Sequence, residues 1–284
     1  MPTPVPSLTF VIPCKGRLGH LQQTLPKLLQ ALDAMQGKAQ IKCLVVDYDC
    51  PAASADWIAA NYPQVGLVRV RESPQFHIAR ARNVGAQQVS SVWIGFLDCD
   101  VIVSVEALRA LVVLLEGKTM LLAQPDMHEL AGFLICPTQA FRAAEGYDET
   151  FEGWGGEDRD LRLRLARIAC KPIYLADGLL TPIRHQDVDR TAFYDVQDKF
   201  LSLRINSLYL QIKIDLARQM GVLQLSAEHR AGIYGQVKKI VLGNPEGPAQ
   251  MEIKLPAQHD VAAPPGWHLA RRWLYSFDPI SSAQ

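Results

Sequence analysis

The feature that most constrains the fold is an alternation of short apolar runs with segments of helical periodicity in the N-terminal part of the chain. Leucines at helical spacing predict a helix over residues 18–32, and an alanine-rich stretch predicts another over residues 77–89. Shorter apolar runs predict buried strands at residues 8–12, 41–46, 65–70 and 92–97. This alternation is typical of an α/β fold with a mainly parallel sheet flanked by helices.

The pattern changes in the C-terminal third of the chain. Residues 193–220 and 225–241 predict two helices, and the proline and glycine content from residue 243 onward predicts an irregular arm. We therefore expect an α/β domain over residues 1–190, followed by a helical extension and arm over residues 191–284.

Composition excludes several classes of protein. Lys and Arg together number 29, as do Asp and Glu, so no overall positive field would attract nucleic acid. The six cysteines lack the paired spacing of a zinc site and predict reduced core thiols in a cytoplasmic protein. The sequence shows no signal-peptide pattern and no apolar run of transmembrane length, which leaves peripheral membrane association open.

Polar residues follow the predicted strands at the points where the strands end. In parallel α/β sheets, ligands bind beyond the carboxyl ends of the strands. Three separate segments therefore deliver polar groups to one edge of the sheet, namely Lys15 and Arg17, Asp47 and Asp49, and Asp98 and Asp100.

Asp98 and Asp100 flank a single cysteine directly after a predicted strand. Two carboxylates at this spacing can hold a hard cation such as Mn²⁺ or Mg²⁺, which would neutralise the charge of a departing nucleoside diphosphate. The same pattern also occurs in solvated turns, so both interpretations stay open for the motif alone. His185 is either an ordinary histidine or a nitrogen ligand that completes a manganese site.

The segment over residues 153–158, with the sequence Gly-Trp-Gly-Gly-Glu-Asp, is the most specific motif. Its glycines allow a close backbone approach, and Trp154 between them offers an apolar face to a sugar ring. Glu157 and Asp158 could bind and deprotonate an acceptor hydroxyl. The alternative for these two carboxylates is simple stabilisation of a helix N-terminus.

The predicted helix over residues 77–89 has an unusual composition. Arg80 and Arg82 could pair with a diphosphate, with the Asp cluster, or with water alone. Asn83 and Gly85 are poor helix formers, each unfavourable by up to roughly 1 kcal/mol relative to Ala. Their presence indicates close packing or a role in a site.

These segments, in this order, resemble those of GT-A fold glycosyltransferases. The pattern is most similar to the catalytic domain of the β1,4-galactosyltransferases and to the C-terminal galactosyltransferase segment of bacterial chondroitin-type polymerases. The Ala-Arg-Asn sequence before Val84 is usual in family 2 glycosyltransferases. The resemblance covers roughly residues 8–190 and rests on segments 12–17, 81–85, 98–100, 153–158 and 183–185.

The resemblance implies a role for each matching residue. Asp100 and His185 would bind manganese, and Asp158 would be the general base. Asp98 would lie near the ribose or the donor sugar and is also a candidate metal ligand. The acceptor-binding candidates are Trp154, Gly155, Gly156 and Glu157. The nucleotide-sugar-binding candidates, which include the strand-end residues above, are Pro13, Lys15, Arg17, Asp47, Asp49, Arg82, Asn83 and Asp98. The galactosyltransferases have a further metal-binding Met where this chain has Pro182.

We therefore expect an inverting hexosyltransferase of polysaccharide biosynthesis. Its donor would be a UDP-sugar carrying galactose, N-acetylgalactosamine or glucose, and its acceptor a glycan or a lipid-linked saccharide. A sugar-1-phosphate nucleotidyltransferase is disfavoured, because residues 13–17 are too few and too poor in glycine for its phosphate loop. A non-catalytic glycan-binding scaffold is disfavoured, because the acidic residues and His185 of the motifs are all present.

Overall fold

The computed structural model describes residues 6–184, 191–255 and 271–278. The strands are β1 (Ser7–Cys14), β2 (Gln40–Tyr48), β3 (Gly66–Val70), β4 (Trp93–Phe96), β5 (Val101–Val103), β6 (Thr119–Leu122), β7 (Leu134–Pro137), β8 (Lys171–Tyr174), β9 (Leu180–Pro182), β10 (Ala249–Leu255) and β11 (Arg271–Phe277). The α-helices are α1 (Leu18–Asp33), α2 (Ser54–Asn61), α3 (Ile78–Ala86), α4 (Val105–Val113), α5 (Thr138–Ala143), α6 (Glu157–Arg167), α7 (Lys199–Gln219) and α8 (Ala227–Gly243).

In the described part of the chain, seven strands form one sheet in the order β3-β2-β1-β4-β7-β6-β8. Every neighbouring pair is parallel except the two that involve β7, which runs antiparallel to both β4 and β6. This confirms the predicted α/β class and its mainly parallel sheet. β1 lies between β2 and β4, and their carboxyl ends therefore meet at one edge of the sheet.

The central strand β1 is buried because helices cover both faces of the sheet. Phe10 packs into one core cluster with residues of α1 and α4, while Val11 packs into the other with residues of α3 and α6. The alternation of side chains along a strand explains this division. An uninterrupted apolar run is consequently the pattern expected for such a strand.

Gly85 lets α3 approach the sheet closely. A Cβ atom on Gly85 would lie 2.4 Å from Cγ1 of Val11 and 2.8 Å from Cγ2 of Val46. Close packing therefore explains the presence of glycine at this helical position. The lack of a side chain at Gly85 sets the distance between α3 and strands β1 and β2.

A smaller pairing joins β5 to β9 in antiparallel fashion, with Val101 opposite Pro182. The backbone N–H of Ile183 donates to the carbonyl oxygen of Asp100 at 2.7 Å. The chain that leads toward His185 is therefore anchored beside Asp100. His185 itself lies outside the described residues.

The chain divides into two compact units, one of residues 1–149 and 157–197 and the other of residues 150–156 and 198–284. In the second unit α7 packs against α8, and Tyr209 makes edge-on ring contacts with Phe151 and Tyr234. The region predicted as an irregular arm contains an antiparallel pair, β10 with β11. Residues 249, 251 and 253 alternate as buried positions, a two-residue period that the flanking prolines and glycines obscured.

All six cysteines are free, and five of them are buried, as predicted for core thiols. No helix within the described ranges combines the length and apolarity that crossing a membrane requires.

Candidate functional site

The carboxyl edge of the sheet carries the predicted polar residues on three neighbouring strands. Pro13 lies in β1 opposite Val46 of β2, and Lys15 follows directly after the strand. Asp47 lies in β2 opposite Cys14. Asp98 follows β4, which pairs with the other side of β1. These segments lie at one edge of the sheet because β2, β1 and β4 are parallel neighbours.

Arg82 connects three carboxylates at this edge. Its guanidinium is only 2% exposed, and Nη2 lies 2.9 Å from Oδ1 of Asp98. Nη1 lies 2.8 Å from Oδ1 of Asp158 and 3.3 Å from Oε1 of Glu157. The Tyr147 ring lies below the guanidinium carbon at 5.0 Å, and its hydroxyl donates to Oδ1 of Asp158 at 3.3 Å. We call Arg82, Asp98, Glu157 and Asp158 the Arg82 cluster.

The carboxyl group of Glu157 is the least solvated acid of the Arg82 cluster. Burial and the nearby Asp158 carboxylate raise its pKa from 4.5 to about 8, although the Arg82 guanidinium opposes this shift. Oε2 of Glu157 and Nε of Arg82 are buried and have no hydrogen-bond partner within the described residues. Buried polar atoms usually have a partner, so these two atoms are candidates for hydrogen bonds with a bound ligand.

Asp100 has a different cation. Its Oδ2 lies 3.0 Å from Nη1 of Arg17, and both side chains are partly exposed, at 13% and 18% respectively. The backbone around this pair is also fixed, because Thr24 Oγ1 donates to the Cys99 carbonyl oxygen at 2.8 Å. Asp98 and Asp100 thus pair with different arginines, Arg82 and Arg17.

Lys15 ties together three loops at the edge of the sheet. The buried ammonium donates to the carbonyl oxygens of Tyr48 at 3.1 Å, Asp49 at 2.9 Å and Ser73 at 2.7 Å. Burial lowers the pKa of this amine, while Asp49 counteracts the shift. Because an ammonium has three donors, these contacts use its full capacity. A direct contact of Lys15 with a nucleotide stays a prediction.

Asp47 and Asp49 also have internal partners. The Asp47 carboxylate accepts from the Ser54 hydroxyl at 2.5 Å and from the Ala55 N–H at 2.7 Å, so it caps the start of α2. Asp49, at a φ of 49°, accepts from the Ser73 N–H at 3.1 Å. Both residues shape the loops at the edge, and their predicted contact with a donor is untested.

Asn83 holds the turn that carries Tyr147. Its Nδ2 donates to the Tyr147 carbonyl at 2.9 Å and to Glu149 Oε1 at 2.8 Å, and its Oδ1 accepts from the Tyr147 N–H at 2.9 Å. Gly146 turns there at a φ of 64°, and a Cβ on it would lie 2.8 Å from Asn83 Oδ1. Asn83 therefore positions the ring that supports Arg82.

The glycine-rich loop belongs to the second unit. The φ angles of Gly153, Gly155 and Gly156 are 72°, 88° and 98°, a region that favours glycine. Trp154 is partly exposed, and Nζ of Lys199 lies 4.6 Å from its ring centroid. Glu157 and Asp158 follow this loop as the first residues of α6, where acidic side chains also suit the helix dipole.

The structure adds residues that sequence reasoning missed. A Cβ on Gly132 would lie 2.4 Å from Asp98 Oδ2 and 2.5 Å from Arg82 Nη2, so only glycine fits there without displacement. Arg162 donates to the carbonyl oxygens of Ala131 at 2.8 Å and Asp158 at 3.2 Å, which fixes that turn. No local signal marks Gly132, because its neighbours at the site are distant in sequence.

The sequence of the chain matches that of a known protein family. The sequence profile described as glycosyl transferase family 2 matches residues 9–164, more than half of the chain. No curated protein sequence matches the chain significantly.

Several solved structures resemble the chain. The mannosyltransferase PcManGT from Pyrobaculum calidifontis, in complex with GDP-Man and Mn²⁺, is 13% identical with a TM-score of 0.55, over 86% of this chain and 77% of that one. This likeness is one of fold. The catalytic domain of Drosophila β1,4-galactosyltransferase 7, in complex with xylobiose, is 18% identical with a TM-score of 0.46, over 64% and 72%. A mutant of that enzyme, with manganese, UDP-Gal and xylobiose, gives the same values.

Proposed function

This chain belongs to glycosyl transferase family 2, and we propose that it is an inverting, metal-dependent hexosyltransferase acting from a UDP-sugar. Family membership makes it a glycosyltransferase, and its sheet gives it the GT-A fold. The acceptor is a hydroxyl of a glycan or a lipid-linked saccharide. One observation carries the proposal, namely that Arg82 pairs with both Asp98 and Asp158, which belong to two different predicted motifs.

Asp158 is suited to the role of general base. Its side chain is 17% exposed, and the hydrogen bonds from Arg82 and Tyr147 both reach Oδ1. In the proposed reaction Asp158 takes the proton of the acceptor hydroxyl while that oxygen bonds to the anomeric carbon. The bond to the diphosphate breaks in the same displacement, and UDP leaves with its electron pair. Inversion follows, since no covalent nucleophile takes part.

The side chains at the carboxyl edge of the sheet include oxygen ligands that suit a divalent cation such as Mn²⁺ or Mg²⁺. Asp98 and Asp100 provide carboxylate oxygens, the ligands that such cations prefer. Within the described residues no third acidic, His or Cys side chain joins them, and the proposed His185 lies outside those residues. When bound, the metal neutralises charge on the leaving diphosphate. Arg17 and Arg82 hold the two carboxylates in place before a donor binds.

Glu157 and Trp154 are assigned to the acceptor. Glu157 has a raised pKa and an unpartnered buried Oε2, so its protonated form can donate to a ligand oxygen. Trp154 is partly exposed between glycines, as expected for a ring that stacks on a sugar.

The test is UDP release from UDP-galactose, UDP-N-acetylgalactosamine and UDP-glucose. Each donor is assayed with Mn²⁺ and with chelator, with water, glucose, N-acetylglucosamine, lactose or xylobiose as acceptor. We expect metal-dependent release from one donor, stimulated by a saccharide. No release under any condition contradicts the proposed function.

Two matched substitutions then separate the base from the acceptor-binding acid. Asp158→Asn should lower turnover by about 10²–10⁴-fold, the usual contribution of general-base catalysis. Glu157→Gln should keep more turnover, because the amide can still donate a hydrogen bond as the protonated acid does. Asp177→Asn, at an exposed turn of the same unit, is the control. Near-normal turnover of Asp158→Asn would show that Asp158 is not the base.

A further inference from the structure

Two buried polar side chains on α7 face the glycine-rich loop. Ser202 is 2% exposed and Asn206 is 0% exposed. They are four residues apart, so they lie on the same side of the helix. Their neighbours on that side, Ile205 and Tyr209, are apolar core residues, which makes the two polar groups unusual there.

Asn206 binds the backbone of the loop at three points. Its Nδ2 donates to the carbonyl oxygens of Glu152 at 2.9 Å, Trp154 at 3.2 Å and Gly155 at 2.7 Å. Its Oδ1 accepts from the Tyr234 hydroxyl at 3.1 Å. The Asn206 amide nitrogen is assigned to the end that faces the three carbonyl oxygens, and its oxygen to the end that faces the Tyr234 hydroxyl.

Ser202 binds the same loop from one turn earlier. The Trp154 N–H donates to Ser202 Oγ at 2.7 Å, and the Ser202 hydroxyl donates to the Trp154 carbonyl at 3.3 Å. A Cβ on Gly153 would lie 2.3 Å from that hydroxyl oxygen. The absence of a side chain at Gly153 is therefore what permits the contact.

A loop with three glycines has many backbone conformations available, and selecting one of them is entropically costly. The hydrogen bonds from Asn206 and Ser202 select the one conformation that presents the Trp154 ring. We propose that Asn206, supported by Ser202, is a positioning residue that sets acceptor affinity through residues 152–155. This inference rests on the proposed function, because it takes this loop to be the acceptor-binding one.

Asn206→Asp is the most direct test, because it keeps the shape of the side chain and removes the NH₂ group that donates to the loop carbonyls. A carboxylate would then face three carbonyl oxygens. Ser202→Ala is a milder second variant that removes one hydroxyl and adds no charge. Ser207→Ala is the matched control, because Ser207 follows Asn206 on the exposed side of α7.

The experiment measures acceptor KM, acceptor-independent hydrolysis of the UDP-sugar, and the Kd of UDP with Mn²⁺. The acceptor is the saccharide of the panel above that gives wild type its fastest turnover. We expect Asn206→Asp to raise acceptor KM about 10- to 100-fold, as for a misplaced binding group. Ser202→Ala should raise it less, and donor hydrolysis and UDP affinity should stay within about twofold. Circular dichroism confirms that each variant is folded.

Two results would overturn the inference while the proposed function stands. The first is that folded Asn206→Asp has the same acceptor KM as Ser207→Ala. If Asn206→Asp does not fold, the same comparison is made with Ser202→Ala. The other is a parallel loss of acceptor and UDP affinity, which indicates general disruption. A wild-type protein that releases no UDP from any donor refutes the proposed function, and the inference with it.

Discussion

Replacing Arg82 with Met should destabilise the protein by about 3 kcal/mol at neutral pH. The side chain is 2% exposed and makes charged hydrogen bonds to Asp98 and Asp158 at 2.9 and 2.8 Å. Removing one partner of a buried ion pair costs about 3–5 kcal/mol, because the other partner is left uncompensated. The lower end applies because Asp98 and Asp158 are 32% and 17% exposed and can regain water.

Urea unfolding at pH 7, followed by circular dichroism, measures this loss. Arg80→Met is the control, since Arg80 is exposed on the same helix and its removal should change stability by less than about 0.5 kcal/mol. The reasoning fails if Arg82→Met unfolds within about 0.5 kcal/mol of Arg80→Met at pH 7.

Two further substitutions probe the same cluster. The raised pKa of Glu157 favours its protonated form in the folded state, so folding stability should fall by up to about 1.4 kcal/mol per pH unit between pH 4.5 and about 8. Glu157→Gln should remove that slope in urea titrations, and an unchanged slope would refute the assigned burial effect. Gly132→Ala should destabilise by about 1–3 kcal/mol through the clash with Asp98 and also slow UDP release. Gly19→Ala is the control, because a Cβ there would meet nothing within 4 Å, and this change should be neutral or stabilising. If Gly132→Ala and Gly19→Ala had equal effects on stability, the proposed clash between residue 132 and Asp98 would be wrong.

The sequence was sufficient to predict the parallel core of the fold. Buried strands and amphipathic helices leave periodic signals, and these located β1, β2, β4 and the acidic turn after β4. Gly85 was also informative, because a poor helix former on the buried face of a helix indicates close packing. The C-terminal pair β10–β11 was missed, since its two-residue alternation is short and lies among prolines and glycines.

The partners of the site residues could not be predicted from the sequence. Arg82 was consistent with a diphosphate, the Asp cluster or solvent, and only the fold shows that it joins Asp98 to Asp158, which lies 76 residues away from it. Lys15 and Asp47 looked like ligand-binding residues, yet both have strong internal partners. Asn206 had one signal that could have found it, namely a polar residue on the apolar face of α7.

The binding of UDP to the protein, followed by calorimetry with Mn²⁺ and with chelator, tests the central claim most directly. The claim is that the turn holding Asp98 and Asp100 is a metal-dependent donor site. It predicts binding that requires Mn²⁺, that weakens at least about tenfold in Asp100→Asn, and that persists in Asp177→Asn. UDP binding that is absent, or that is equally tight with chelator and in Asp100→Asn, would contradict it.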